Sequence, residues 1–93
     1  MIVGLLTLEI HLPYAHSLKE KRQTLRKLKE RLRSRFNVAV AELDHQDVWQ
    51  RATVGVVSLS NDNGHLARVL ERVSSESEKI LGGDLANSYV EFL

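Results

Sequence analysis

Ser17-Leu18-Lys19-Glu20-Lys21-Arg22-Gln23-Thr24-Leu25-Arg26-Lys27-Leu28 reads as the opening of a helix with a single apolar stripe, and the architecture follows from where that stripe must pack. Ser17 and Glu20 form a capping-box pattern, in which the Ser17 hydroxyl accepts from the Glu20 amide and the Glu20 carboxylate reaches back to the Ser17 amide. At 100° per residue Leu18, Leu25, Leu28 and Leu32 share a narrow arc, so one stripe must face a sheet while most of the remaining circumference is cationic. Lys21 points into the leucine arc. It must snorkel past Leu18 and Leu25 or meet a carboxylate, with Glu42 or an aspartate of the following hairpin as its partner.

Upstream, residues 2–12 alternate with period two, placing Ile2, Gly4, Leu6, Leu8, Ile10 and Leu12 on one face of a strand and Val3, Leu5, Thr7, Glu9 and His11 on the other. Pro13 lacks an amide donor and ends the ladder. Downstream, Phe36 to Leu43 and Trp49 to Ser60 flank the polar segment Asp44-His45-Gln46-Asp47 and read as a hairpin. Asn61-Asp62-Asn63-Gly64 starts a second helix, in which Leu66, Val69, Leu70, Val73 and Ile80 recur at helical spacing with Ser77 as the polar gap. Gly82-Gly83 ends it, and Leu85 to Leu93 supplies a last strand. The order is β-α-β-β-α-β. With right-handed crossovers it predicts an α+β, ferredoxin-like split βαβ domain over 1–93: a four-stranded antiparallel sheet of order 4-1-3-2 with both helices on one face. That topology brings the His11 to Ser17 loop, the Asp44 to Asp47 tip and the Gly82-Gly83 turn to one end of the sheet.

Composition narrows the function classes. In 93 residues, 43% hydrophobic and 27% charged, there is material for one core. Cysteine is absent, which excludes disulfides, thiolate chemistry and cysteine zinc sites and fits a cytoplasmic location. The N-terminal apolar run carries no basic leader and is interrupted by Glu9 and His11, so a strand is expected there, with no membrane segment. Net charge is only +1 but is divided unevenly. Ser17 to Arg35 holds nine basic residues against two acidic ones, while the rest of the chain holds four basic and ten acidic. One positive and one negative surface are expected.

The segments Ser17-Leu18-Lys19-Glu20-Lys21-Arg22, Phe36-Asn37-Val38-Ala39-Val40-Ala41-Glu42 and Asp44-His45-Gln46-Asp47, in this order and at these separations, resemble the YlxP-like family of small bacterial proteins. The resemblance spans nearly the whole chain. It implies a ferredoxin-like fold and a cytosolic bacterial protein of a family without an assigned activity. It also implies a genomic neighbourhood of transcription-elongation, translation-initiation and ribosome-maturation genes, an associational pointer toward RNA.

The basic helix is either a solvated face or a phosphate-binding surface. Few acids are interleaved to pair its cations at i,i+4, which favours phosphate. Lys19, Arg22, Arg26, Lys27, Lys29 and Arg33 are the candidate contacts to structured RNA or a ribosomal particle. The alternative is a regulatory dimer binding a small molecule or metal at the loop end, near His11, His16, Lys21, Asp44 and His45, although no histidine pair has the i,i+4 spacing of a preformed helical chelate and no cofactor motif is present. Enzymatic readings are weaker. Pro13-Tyr14-Ala15-His16 has neither the glycine nor the arginine that acylphosphatase chemistry needs on this fold, and no G-x-S-x-G is present. Single-strand reading on the open sheet face needs aromatic platforms in the central strands, where only Trp49 is available, at an end. The open face instead carries Val3, Leu5, Val57 and Leu59, an apolar patch that predicts a homodimer.

Overall fold

β1, Ile2–His11, runs through the middle of the sheet and alternates as its sequence dictates: Leu6, Leu8 and Ile10 are buried on the helix side, and Leu12 just beyond the strand is fully buried. The computed structural model describes all of residues 1–93. α1 spans Leu18–Arg35, β2 Ala39–Asp44, β3 Arg51–Ser60, α2 Asn63–Leu81 and β4 Leu85–Phe92, with a short 3-10 turn at Gly82–Asp84. The strand order is β2-β3-β1-β4, equivalently 4-1-3-2, and every pairing is antiparallel. Leu28 and Leu32 of α1 and Leu66, Leu70 and Val73 of α2 join Leu6, Leu8, Ile10, Val54 and Val56 in one buried cluster on one side of that sheet. Burying each such leucine contributes about 1.5–3 kcal/mol relative to leaving it exposed.

Gly4 is where the second helix comes closest to the sheet. A Cβ there would stand 2.5 Å from Leu70 Cδ1, so the missing side chain lets α2 lie directly on β1. Ser77 is fully buried and donates to Val73 O at 2.8 Å, which satisfies its hydroxyl within the helix. Gly82, at φ 56°, turns the chain out of α2 through a conformation that favours glycine.

Three local expectations are adjusted. In the cap of α1 the Glu20 amide donates to Ser17 Oγ at 3.2 Å, but the Glu20 carboxylate accepts from the His16 amide, one residue earlier than the capping box predicts. β2 begins at Ala39, not Phe36, because the Phe36 amide is still bonded to Leu32 O as the helix cap while its ring packs against the core. Trp49 is half-exposed and lies in the β2–β3 connection, since β3 begins at Arg51. That connection turns through His45, whose φ of 65° is left-handed, and is preceded by a bulge: Glu42 faces Val54, Asp44 faces Thr53, and Leu43 is the extra residue.

On the open face Val3 stands opposite Leu59 and Leu5 opposite Val57, as the alternation requires. Thr7 is buried there despite facing away from the helices, because it sits between Gly55 and Tyr89 on the neighbouring strands. Leu43 fills the place Gly55 leaves open; a Cβ at Gly55 would stand 2.7 Å from Leu43 Cδ1.

Candidate nucleic-acid interface

The nine cations of α1 separate into two groups by their partners. Lys21 is fully buried; its Nζ donates to Glu42 Oε2 at 2.8 Å and to the carbonyl oxygens of His45 at 2.7 Å, Gln46 at 3.3 Å and Arg51 at 3.3 Å. Arg31 and Arg35 reach across to Glu76 of α2, at 3.5 and 3.4 Å. The other six, Lys19, Arg22, Arg26, Lys27, Lys29 and Arg33, are exposed and form no ion pair. These are the six that the sequence singles out.

Five of the six form a ridge. Positions 19, 22, 26, 29 and 33 alternate steps of three and four, which confines them to an arc of about 80° on one flank of the helix and spaces them by about 5 Å over about 21 Å. Arg22, Arg26, Lys29 and Arg33 line one wall of an open groove of about 430 Å³, whose other wall is Val40, Ala41 and Glu42 of the edge strand β2. Lys27 stands apart from the ridge, on the outward surface with Gln23, Glu30 and Ser34.

A second cationic track is masked in the sequence by the neutral balance of α2. A cleft of about 740 Å³ between the helices is lined by Arg35 and by Arg68, Arg72 and Lys79 of α2, with Glu71, Ser75 and Glu76 among them. Arg68, Arg72 and Lys79 are exposed and without ion pairs. Their spacing of four and then seven residues puts them on one face, but α2 carries as many acids as bases, so its net charge conceals the alignment. Twelve of the thirteen basic residues thus lie in the helix layer. Outside the helices Arg51 stands alone against seven acidic residues.

The loop-end candidates come together only in part. His11 and His45 line one cleft of about 360 Å³ with Glu9 and Arg51. Asp44 is spent on its neighbour: its carboxylate accepts from the His45 amide at 2.8 Å and stands 4.0 Å from His45 Nε2. His16 belongs to the N-terminus of α1, where its amide meets Glu20. The Lys21 amino group is enclosed by its four acceptors and faces no cleft. No three histidine or carboxylate side chains gather in a group that could hold a metal ion.

The three connections do meet at one end of the sheet. Leu12 N donates to Gln50 O, Gln50 Nε2 to Pro13 O, and Tyr14 Oη to Asp84 Oδ2 at 2.5 Å. The bond to Asp84 holds the Tyr14 phenol protonated above its ordinary pKa of about 10, with desolvation and the negative charges of Asp84 and Glu20 adding to the shift. Because the folded value is raised, the tether is intact at neutral pH and is lost as pH climbs through the shifted value. A phenolate absorbance titration should show the Tyr14 component, isolated by difference from Tyr14→Phe, titrating late and returning toward the ordinary range in Asp84→Asn. An unshifted component in the parent would show that the tether does not form.

Taken together, the layer order and strand connections define a ferredoxin-like domain with a cationic helix layer. A designed protein with a ferredoxin fold superposes at a TM-score of 0.55 over 100% of this chain and 83% of its own at 7% identity, and a dimeric ferredoxin-like protein of unknown function from Thermobifida fusca at 0.51 over 98% and 90% at 11% identity. At such identities the likeness is one of fold alone. The family model described as protein of unknown function DUF503 matches residues 3–88, and the uncharacterized protein YlxP of Bacillus subtilis (strain 168) is 35% identical over 72 residues, 77% of this chain and 78% of the relative. The chain belongs to this YlxP-like family. No helix is long and apolar enough to cross a membrane.

Proposed function

We propose that this protein is a non-enzymatic binding protein that docks structured RNA or a ribosomal particle through α1. The observation that carries the reading is the division of partners: three of the nine cations of α1 are paired with carboxylates, while Lys19, Arg22, Arg26, Lys27, Lys29 and Arg33 are left free on the surface. Opposite charges three or four residues apart stabilise a helix, and these six cations form no such ion pair. Five phosphate contacts would give a log–log dependence of binding on salt with a slope of about −4.5. The protein should co-sediment with ribosomal particles at low salt and be released as salt rises along such a slope. Absence from the particles at low salt, or retention indifferent to salt, would remove the reading.

The open sheet face supports a second element, self-association. Val3 with Leu59 and Leu5 with Val57 form cross-strand apolar pairs, flanked by the exposed Leu43, Tyr89 and Leu93. Apolar surface left in water costs about 25 cal/mol per Å², so a second copy laid face to face is the favoured cover. Light scattering should report a dimer for the parent and a monomer for Leu59→Glu combined with Val3→Glu, with unchanged circular dichroism. A monomeric parent at high protein concentration would refute the dimer.

A further inference from the structure

The two cationic tracks lie on different helices, the ridge on the β2 side of α1 and Arg68, Arg72 and Lys79 on α2 beside a cleft that reaches α1 only at its last residue, Arg35, and this division bears on what kind of nucleic acid fits. Arg22, Arg26, Lys29 and Arg33 of the ridge border the groove over β2, with Lys19 continuing the row toward the start of α1, while Arg68, Arg72 and Lys79 border the cleft beside Arg35. The ridge lies on the β2 side of α1, away from the side that meets Glu76 of α2, and packed helix axes stand about 8–10 Å apart, so the tracks are separated by at least a helix width. Between them the outward surface of α1 is polar and of mixed charge, with Gln23, Lys27, Glu30 and Ser34. A single phosphate strand has use for one track only. It would leave the other unpaired and the polar strip between them idle.

We propose that the helix layer takes double-stranded RNA, with α1 laid along the wide, shallow minor groove, the ridge on the phosphates of one strand and the α2 cations on those of the other; this rests on the RNA reading above. A-form RNA offers such a groove, bounded by two phosphate backbones and floored by 2′-hydroxyls. Exposed on the strip between the tracks, Gln23 offers amide donors and an acceptor, and Ser34, whose hydroxyl donates to Arg31 O at 2.9 Å, offers its oxygen as an acceptor, groups of the kind that hydroxyls bond. Glu76 serves the arrangement from below: almost buried, it binds Arg31 and Arg35 at once and fastens α1 to α2, which sets the tracks in fixed relation. Glu30, which lines both the strip and the groove of the ridge, and Glu71, within the α2 cleft, are the acids that partly offset the two tracks.

The experiment measures fluorescence anisotropy of a short RNA duplex, the DNA duplex of the same sequence and the single-stranded RNA, each across a salt series. Three proteins are compared: the parent, Arg68→Gln/Arg72→Gln/Lys79→Gln, and Gln23→Ala/Ser34→Ala. All the replaced side chains are exposed, and none is in an ion pair, so circular dichroism should be unchanged. The parent should bind the RNA duplex in preference to the other two. The α2 variant should weaken duplex binding at least tenfold, flatten its salt slope by about 0.9 for each phosphate no longer neutralised, and change single-strand binding less than threefold. The Gln23/Ser34 variant should narrow the RNA-over-DNA preference. Duplex binding that survives in the α2 variant, or falls equally with single-strand binding, would overturn the two-track inference while leaving RNA docking by the ridge in place. A parent that binds none of the three would overturn both.

Discussion

Replacing Lys21 by methionine is expected to destabilise the fold by about 3 kcal/mol, the lower part of the range for removing one partner of a buried pair, since Glu42 keeps 23% of its side chain exposed. For a chain of this size that corresponds to a fall in Tm of about 12–24 °C. The cost has two sources. The Glu42 carboxylate loses its counter-charge in a part-buried place, and the carbonyls of His45, Gln46 and Arg51 lose a common donor at the bend where His45 is left-handed. Glu42→Gln should cost less, because an amide oxygen still accepts and the three carbonyl bonds remain. Lys21→Met with Glu42→Leu should recover part of the loss, and the size of the recovery gives the coupling between the two side chains. Thermal denaturation is the measurement. A Lys21→Met protein melting within a few degrees of the parent would mean that Nζ is not the fastening of this loop.

The second large effect is on binding. Arg26→Gln/Lys29→Gln/Arg33→Gln removes three neighbouring cations of the ridge without touching the leucine stripe, and glutamine is nearly as good a helix former as arginine or lysine. Neutralising three fewer phosphates on a duplex would flatten the salt slope by about 2.7, which is about 10²-fold in affinity at 0.15 M salt. The weakening should be similar across RNA sequences, because phosphate contacts carry no base information. Titration of the variant and parent at several salt concentrations decides the matter. If the two bind alike at every concentration, the ridge is only a solvated face.

Much of the architecture was legible because β1 and both helices carry strong periodicities. The alternation from Ile2 to Leu12 assigns each residue to a face, and the leucine arc of α1 places Lys21 among apolar neighbours, from which a carboxylate partner such as Glu42 follows. The β2 region was harder to read. Phe36 and Val38 resemble strand residues, yet the helix cap holds one and the core both, and the bulge at Leu43 depends on the room left by Gly55 on another strand. Neither arrangement has a local signature. At the site, the six free cations of α1 could be anticipated from the scarcity of nearby acids. Arg68, Arg72 and Lys79 were harder to single out, since α2 is neutral overall and their shared cleft with Arg35 depends on how the helices pack. The topology groups His11, His16 and His45 at the loop end; His11 and His45 line one cleft there, and His16 stands at the start of α1.

The groove beside β2 bears on more than ligands. β2 is an edge strand, and an uncovered edge is a template on which another chain can add and begin a fibre. Here the approach to that edge passes Arg22, Arg26, Lys29 and Arg33. A second copy arriving edge to edge brings the same four charges against them, so stacking into filaments is opposed by like-charge repulsion before any backbone bond can form. The row of cations therefore guards solubility as well, and a polyanion that neutralises the row without covering the strand would lift that guard.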